Sequence, residues 1–500
     1  MRLGTLVEGT DVRPVSGSLD VDVAGIAIDS RRVAPGDVFF ALAGTQTDGR
    51  RHVADAVSRG ARAVVARGAL DPTSATVLDA PNPRAALARM AARLAGDPSA
   101  HMTVVAVTGT NGKTTITHLL EGIWAAAGHS AGVIGTIAYR FAGTTRPAPL
   151  TTPEAHEIQG LLAEMRAADV THAVMEASSI AIAQERTTAL AFDAAVFTNL
   201  TLDHLDFHGD MDAYYAAKAR LFTELLPASS KPDPVAVVNL DDAGGRRLAA
   251  EVPTRLVGFG RAADATVRLT DVESTLAGTR GVLVLDGARL AFTSPLVGAP
   301  HSENIAAAAA TAWATGIAPD AIAAGIAATA SPAGRVERIA GPGFTVVVDY
   351  AHTPDALVRL LDALRPLAPG ALVTVFGCGG DRDRTKRPIM GEAAARRSDL
   401  VVLTSDNPRT EDPARILADV ETGIRAGGMT PLAALGPGMR GYVVEADRVR
   451  AIEQAVGVAR PGDLVVVAGK GHEDYQIVGT VKHHLDDREE VRRVLARRPA

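Results

Sequence analysis

A single cysteine, Cys378, in 500 residues excludes an internal disulfide framework and suits a reducing compartment. Aromatic residues make up only 4%, so the cores must be built from Ala, Val, Leu and Ile. Basic residues are not in excess. The formal net charge of −6 gives no electrostatic footprint for nucleic acid, which would want a basic domain or stripe. No stretch reaches the roughly 18–20 uninterrupted apolar residues of a membrane span. The Ala-rich run from Asn304 to Ala330 comes nearest, and Gly316, Pro319 and Asp320 predict that it breaks into two short helices. The N-terminal "MRLGTLVEGTDVRP" has no long apolar run, so no signal peptide is expected and the expected location is the cytoplasm.

What is present is a globular composition, 47% hydrophobic and 22% charged. The length exceeds one ordinary core and predicts roughly two to four domains. Pro/Gly-punctuated breaks at "GDPSAH" and "ASPAGRVERIAGPG" divide the chain into 1–98, 99–330 and 331–500. Short apolar runs such as "TVVAVT", "THAVMEAS", "DLVVLTS" and "DLVVVAG" alternate with helical patterns. That alternation predicts an α/β protein with mainly parallel sheets covered on both faces. Ligands then bind beyond the carboxyl ends of the strands.

The most specific stretch is "TVVAVTGTNGKTTITHLLEGIWAAAG". A strand ends at Thr108, and Gly109, Thr110, Asn111, Gly112, Lys113, Thr114 and Thr115 lead into a helix with apolar residues at Ile116, Leu119, Leu120 and Ile123. Glycines let backbone amides face a phosphate at the helix N-terminus. Lys113 is then placed for the β/γ-phosphates of ATP and Thr114 for Mg²⁺. The loop is shortened, since Val107 occupies the position of the usual first glycine. Two later strands end in "MEASS" and "TNLTLDHLDFHG", where Glu176 and His204 are candidates to complete the magnesium site. Lys218, at helical spacing from Tyr214 and Tyr215, taken alone reads as an exposed helix lysine. "TSDNPRTEDP" turns from a buried strand straight into Asp406, Asn407, Pro408 and Arg409, a loop that presents a guanidinium to an anion; an ion pair with Glu411 or Asp412 is the alternative.

"GTNGKTT", "TTP", "EASS", "TNLTLDHLDFHG", "YYAAK", "GRVE", "DYAHTPDAL", "GCGGDRDRTKRPIMG", "DNPR" and "GKGHE" occur in an order that resembles the Mur ligases, and the likeness covers nearly the whole chain. The resemblance implies an N-terminal UDP-sugar-binding α/β domain, a central P-loop ATPase and a Rossmann-like C-terminal domain. The implied activity is ATP-dependent addition of diaminopimelate to UDP-MurNAc-L-Ala-D-Glu, a cytoplasmic step of peptidoglycan precursor synthesis, through an acyl phosphate. It implies Ser30, Thr151, Thr152, Ser178, Gln184 and Arg186 as contacts of the UDP-muramoyl dipeptide. Asn304, Arg335 and Asp349 match nucleotide contacts, and Lys218 the family's lysine that carries a CO₂-derived carbamate beside Mg²⁺. Arg382, Asp406, Asn407, Pro408, Arg409, Gly469 and Glu473 match the contacts of the incoming amino acid. Lys113, Lys218 and His204 are thereby the expected catalytic residues.

The partners expected are the two acceptor substrates and ATP, with no nucleic acid or membrane, and the protein is expected to be a monomer. Diaminopimelate differs from lysine by a far carboxylate, which a guanidinium matches in two hydrogen bonds. Arg409 is thus the expected determinant against lysine. Three positions depart from the family pattern: Ile180 for a histidine, Leu202 for an arginine and His301 for an asparagine. A folate polyglutamate ligase, a lysine-adding ligase and a non-catalytic nucleotide-binding scaffold are the rival readings.

Overall fold

Runs of Val, Ile and Ala bounded by Gly, Pro and Asp form the strands of the computed structural model, which describes residues 1–44, 47–68, 70–71 and 73–497. Thr45 and Gln46 lie outside the described residues. In the first segment, Thr76–Asp79, Ala63–Ala66, Asp37–Phe40 and Gly25–Ala27 pair in parallel, with Arg13–Ser16 antiparallel at the edge.

The middle segment builds an 11-stranded sheet. Its centre is parallel: Val235–Asn239, Ala194–Phe197, Thr103–Thr108, His172–Glu176 and Ala131–Ile134 lie side by side. These strands are buried along their length because helices cover both faces. On one side Ala138–Phe141 and Thr144–Pro147 extend the sheet antiparallel; on the other Arg255–Gly260 and Val267–Thr275 add in parallel, followed by Gly278–Leu285 and Ala288–Ser294 antiparallel. The α/β expectation did not include these hairpins. Val267–Thr275 and Gly278–Leu285 alternate between buried and more exposed residues, as suits a sheet with one wet face. The Ala-rich run does divide, into Ala299–Ala314 and Pro319–Ala328.

The last segment orders Glu337–Ala340, Thr345–Asp349, Leu464–Ala468, Leu372–Phe376, Leu400–Leu403 and Gly441–Val444, parallel except for the first. The expected α/β architecture with mainly parallel sheets is therefore present.

Small residues let the helix after the phosphate loop, Lys113–Ala126, sit deep in the middle segment. A Cβ at Gly325 would run into Ile123, so the helix Pro319–Ala328 approaches at backbone distance. Trp124, fully buried in the same core, lies with its ring 5.1 Å from that of His172. Trp124→Ala leaves a large cavity and should cost the middle segment about 3–5 kcal/mol, read as an earlier unfolding transition in urea.

Candidate functional site

Parallel pairing puts the ends of Thr103–Thr108, His172–Glu176 and Ala194–Phe197 side by side, with Glu176 opposite Val107 and Phe197 opposite Thr108. The loops that follow therefore converge. Gly109 and Gly112 both have positive φ, 139° and 91°; a Cβ on the first would strike the Thr198 hydroxyl and on the second the Asn304 carboxamide. Only glycine fits both positions. The neighbouring loop braces this one: Thr198 Oγ1 donates to Asn111 O at 2.6 Å, Asn111 N to Asn199 Oδ1 at 3.0 Å, and Thr110 Oγ1 pairs with Tyr214 Oη at 3.1 Å. Thr115 is buried in the first turn of the helix.

Two lysines meet at this loop. Lys113 Nζ donates to Gly109 O at 2.8 Å and Thr110 O at 2.9 Å, and Lys218 Nζ donates to the same Gly109 carbonyl at 3.1 Å. The reading of Lys218 as an exposed helix lysine is corrected. Its helix, Met211–Arg220, turns Tyr214, Tyr215 and Lys218 inward, and Lys218 is 1% exposed with its amine 4.5 Å from the Tyr214 ring. Burial, with the Lys113 charge second, drives its pKa well below the ordinary lysine value. Burial also lowers Lys113. Among the described residues no carboxylate lies within ion-pair distance of either amine.

Glu176, 1% exposed, accepts from Thr114 Oγ1 at 3.0 Å, Thr136 N at 2.9 Å and Thr136 Oγ1 at 2.9 Å. A carboxylate and a hydroxyl oxygen at a helix N-terminus suit Mg²⁺, which keeps several waters and needs few protein ligands. His204 lines the same cavity as these two, where its ring pairs with Asp203 rather than with Thr114 or Glu176. Its Nε2 is 3.4 Å from Asp203 Oδ2 and its ring is edge-on to Tyr214. Burial lowers its pKa against the opposing pull of Asp203. No group of three or more His, Cys, Asp or Glu among the described residues is arranged to hold a metal.

A cavity of about 450 Å³ opens over this floor, lined by the whole phosphate loop together with Glu176, Lys218, Asn304 and the C-terminal segment's Arg335 and Asp349. Thr151, Thr152, Ser178 and Arg186 line the same cavity. Thr152 Oγ1 donates to Glu176 O at 2.8 Å and accepts from Ser178 N at 3.1 Å; Arg186 donates to Thr152 O at 2.9 Å and Gln184 Oε1 at 2.8 Å, and pairs with Glu154 at 2.8 Å. Ser30 is buried elsewhere, in a 3₁₀ turn at Ser30–Arg32 whose Arg32 faces Glu157 at 3.7 Å.

The three departures fare differently. Ile180 and His301 line the cavity, whereas Leu202 is 48% exposed. His301 is buried, burial pushing its pKa down to about 4, and neither ring nitrogen makes a hydrogen bond of good geometry. His208, unremarked in the sequence, reaches the Ser179 hydroxyl at 2.9 Å.

The C-terminal segment reaches into the cavity by Arg335, which donates to Thr114 Oγ1 at 3.3 Å and lies 4.4 Å over the Tyr350 ring. Asp349 accepts from Val336 N and Ala351 N, both at 2.8 Å; burial raises its pKa against the pull of Arg335. Tyr350 also stacks against His352 at 4.5 Å and His472 at 5.1 Å. It thus stands between the cavity and a second cluster, a role that its place in "DYAHTPDAL" did not reveal.

That second cluster holds the amino-acid candidates, none of which lines the cavity. It forms beyond the ends of Leu400–Leu403 and Leu464–Ala468. Asn407 Nδ2 donates to Glu473 Oε2 at 3.0 Å, and the buried Lys470 donates to Glu473 Oε2 at 3.0 Å and Asn407 Oδ1 at 3.3 Å. Gln476 donates to Asp406 O at 2.7 Å, and Glu411 N to Pro408 O at 3.2 Å. Gly469 has φ 118°, and a Cβ there would lie 2.9 Å from Asp406 Oδ2.

Arg409 is held in the left-handed region, φ 53°, by its amide to Ile477 O at 3.0 Å and its carbonyl from Gly479 N at 2.7 Å. Its Nη1 donates to Gly380 O at 2.7 Å. Neither alternative ion-pair partner engages it. The fully buried Arg387 takes Glu411 at 2.8 Å, and Asp412 caps the helix Pro413–Ala426. Arg382 is exposed and lies beside Arg409 across Gly379, where a Cβ would sit 2.9 Å from Arg409 Nη1 and 3.9 Å from Arg382 Cγ. Lys470 and Arg387 were missed in the sequence, where each reads as one more basic residue in a polar motif.

The chain matches the Mur ligase middle domain over 107–312, the Mur ligase glutamate ligase domain over 334–471 and the Mur ligase family catalytic domain over 22–95. UDP-N-acetylmuramoyl-L-alanyl-D-glutamate–2,6-diaminopimelate ligases are similar end to end. That of Geobacter metallireducens is 46% identical, covering 98% of each chain, and that of Gloeobacter violaceus 46%, covering 100% of this chain and 99% of its own. A solved structure of a ligase of that name superposes with TM-score 0.71 at 33% identity, covering 99% of both chains. The Mycobacterium tuberculosis folylpolyglutamate synthase, at TM-score 0.61 and 20% identity, shares the fold over 76% of this chain and 91% of its own. With three domain matches in order and relatives at this identity along its whole length, the chain belongs to the Mur ligase family.

Proposed function

We propose that this protein is the ATP-dependent ligase that adds diaminopimelate to UDP-MurNAc-L-Ala-D-Glu, releasing ADP and phosphate. The observation that carries the choice of amino acid is Arg409, a guanidinium with no carboxylate among the described residues, two positions from Asn407, whose carboxamide binds the Glu473 carboxylate. The cluster therefore offers the Arg409 guanidinium, which meets no carboxylate, and the Glu473 carboxylate, which Lys470 also pairs at 3.0 Å. A diamino diacid has an ammonium for Glu473 and a far carboxylate for Arg409. Lysine would leave the guanidinium without its anion.

In this reading the phosphate loop, Gly109 to Thr115, holds the ATP phosphates, with Asn304, Arg335 and Asp349 as further nucleotide contacts. Thr151, Thr152, Ser178, Gln184 and Arg186 orient the muramoyl dipeptide, with Ser30 at the uridine end. Thr114 and Glu176, joined by His204, would hold Mg²⁺, which supplies positive charge to the transferring phosphoryl group. Lys113 supplies a further charge there.

The γ-carboxylate of D-Glu takes the phosphoryl group as an acyl phosphate. The diaminopimelate amine then attacks the acyl carbon, and phosphate leaves. Lys218, buried and driven towards the neutral amine, is suited to capture CO₂ as a carbamate. Addition of CO₂ to the neutral amine, with loss of one proton, places an anion beside Gly109. The amino-acid cluster lies outside the cavity, so closure of 331–500 over 99–330 is needed to join the substrates. The domain limits 1–98, 99–330 and 331–500, a monomeric state and a cytoplasmic site of action complete the proposal. No helix among the described residues is long and apolar enough to cross a membrane.

The test mixes protein, ATP, Mg²⁺ and UDP-MurNAc-L-Ala-D-Glu with diaminopimelate, lysine or glutamate in turn, following phosphate release and product mass. Only diaminopimelate should give product; phosphate release with lysine alone, or with none of the three, would overturn the reading. Arg409→Ala removes one partner of an interaction worth roughly 2–5 kcal/mol. Because Arg409 is half-buried, the lower end applies, and kcat/KM for diaminopimelate should fall about 30-fold, with KM for ATP unchanged.

A further inference from the structure

The two amino-acid loops leave strands that do not touch. Leu400–Leu403 leads to Asp406–Arg409 and Leu464–Ala468 leads to Gly469–Glu473, and Leu372–Phe376 runs between them in the sheet. Ladder hydrogen bonds therefore do not set the distance between the loops directly. Asn407, Lys470 and Glu473 link the loops further out, and one buried side chain bridges them where they leave the strands. Arg448, 1% exposed at the start of the helix Arg448–Val458, donates to Ser405 O at 3.3 Å and Ala468 O at 3.0 Å. Those are the last carbonyls before Asp406 and before Gly469.

The rest of the guanidinium is clamped by Asp487, also fully buried, through Nε–Oδ1 and Nη2–Oδ2 contacts of 2.7 Å each. Asp487 opens the final helix, Asp487–Ala496. The planar fork thus reaches two carbonyls and one carboxylate at once, a task an ammonium does not reproduce.

A buried ion pair of this kind is a weak source of stability, since desolvation offsets most of the attraction. Its other contacts suggest what it does. We infer that Arg448 and Asp487 are positioning residues that hold the "DNPR" and "GKGHE" loops in register, so that the groups selecting the incoming diamino diacid stand at the right separation. The inference rests on the proposed function and deepens it. Neither residue touches substrate; they act through Ser405 and Ala468.

The experiment compares Asp487→Asn and Arg448→Lys with the full-length wild type, measuring KM for each of the three substrates and kcat. Misplacing the loops should raise KM for diaminopimelate about 10- to 100-fold, while KM for ATP and for UDP-MurNAc-L-Ala-D-Glu stays within about twofold. Asp487→Asn keeps shape and one acceptor, so it should lie nearer the wild type than Arg448→Lys. Equal changes in all three KM values, or an unchanged KM for diaminopimelate in folded variants, would overturn the inference.

If both variants fail to fold, amide exchange in the wild type decides. Adding diaminopimelate should slow exchange in 405–409 and 469–473 together, and protection of one loop alone would refute a shared anchor. A wild type inactive with diaminopimelate would instead remove the functional reading itself.

Discussion

Lys113→Ala is expected to lower kcat by about 10²–10³, the usual cost of deleting one preorganised charge-stabilising group. Substrate KM values should change far less, because the group acts on charge that develops during transfer. The structure explains why this lysine is poised. Its amine folds back onto Gly109 O and Thr110 O, within the loop proposed to hold the ATP phosphates, and burial lowers its pKa. A bound phosphate restores the preference for the charged form. Single-turnover measurement of ADP formation checks the result; a variant that transfers phosphoryl at the wild-type rate would remove Lys113 from the chemistry.

Lys218→Ala is expected to lose activity by about 10²-fold, by the same electrostatic reasoning. The distinguishing readout is carbon dioxide. Activity of the wild type should fall in CO₂-depleted buffer and recover with bicarbonate, whereas Lys218→Ala should respond to neither. A wild type indifferent to bicarbonate would sink the carbamate proposal while leaving Lys218 a binding residue.

The unmodified amine also has a stability signature. Its folded pKa is depressed and its unfolded value is 10.5, so between those limits the unfolded chain binds the extra proton. Stability of the unmodified protein should therefore rise with pH through that window, and Lys218→Met should flatten the slope in urea titrations.

Arg409 shows how far a motif can be read before the fold is known. Its guanidinium chemistry and the carboxylate it suits follow from residue type. That Glu411 is unavailable to it does not, because the competitor is Arg387, which only the packing of Lys386–Arg397 against Pro413–Ala426 brings to Glu411. Lys218 is the opposite case. Spacing alone suggested a solvated helix face, and the helix is instead turned so that its lysine meets Gly109, a contact between residues 109 positions apart.

By itself the sequence determined the α/β class, the phosphate loop and the residue types gathered around it, because apolar strand runs, glycine punctuation and motif order are local properties. It also separated the Ala-rich run into two helices, since Gly and Pro act on their own neighbourhood. Tertiary structure alone decided which lysine is buried, which carboxylate Arg409 does without, where the antiparallel strands join the middle sheet, and that Arg448 spans two strands that never pair. These depend on packing and register between distant segments. Burial and long-range hydrogen bonds arise only when those segments meet, so no window of sequence contains them.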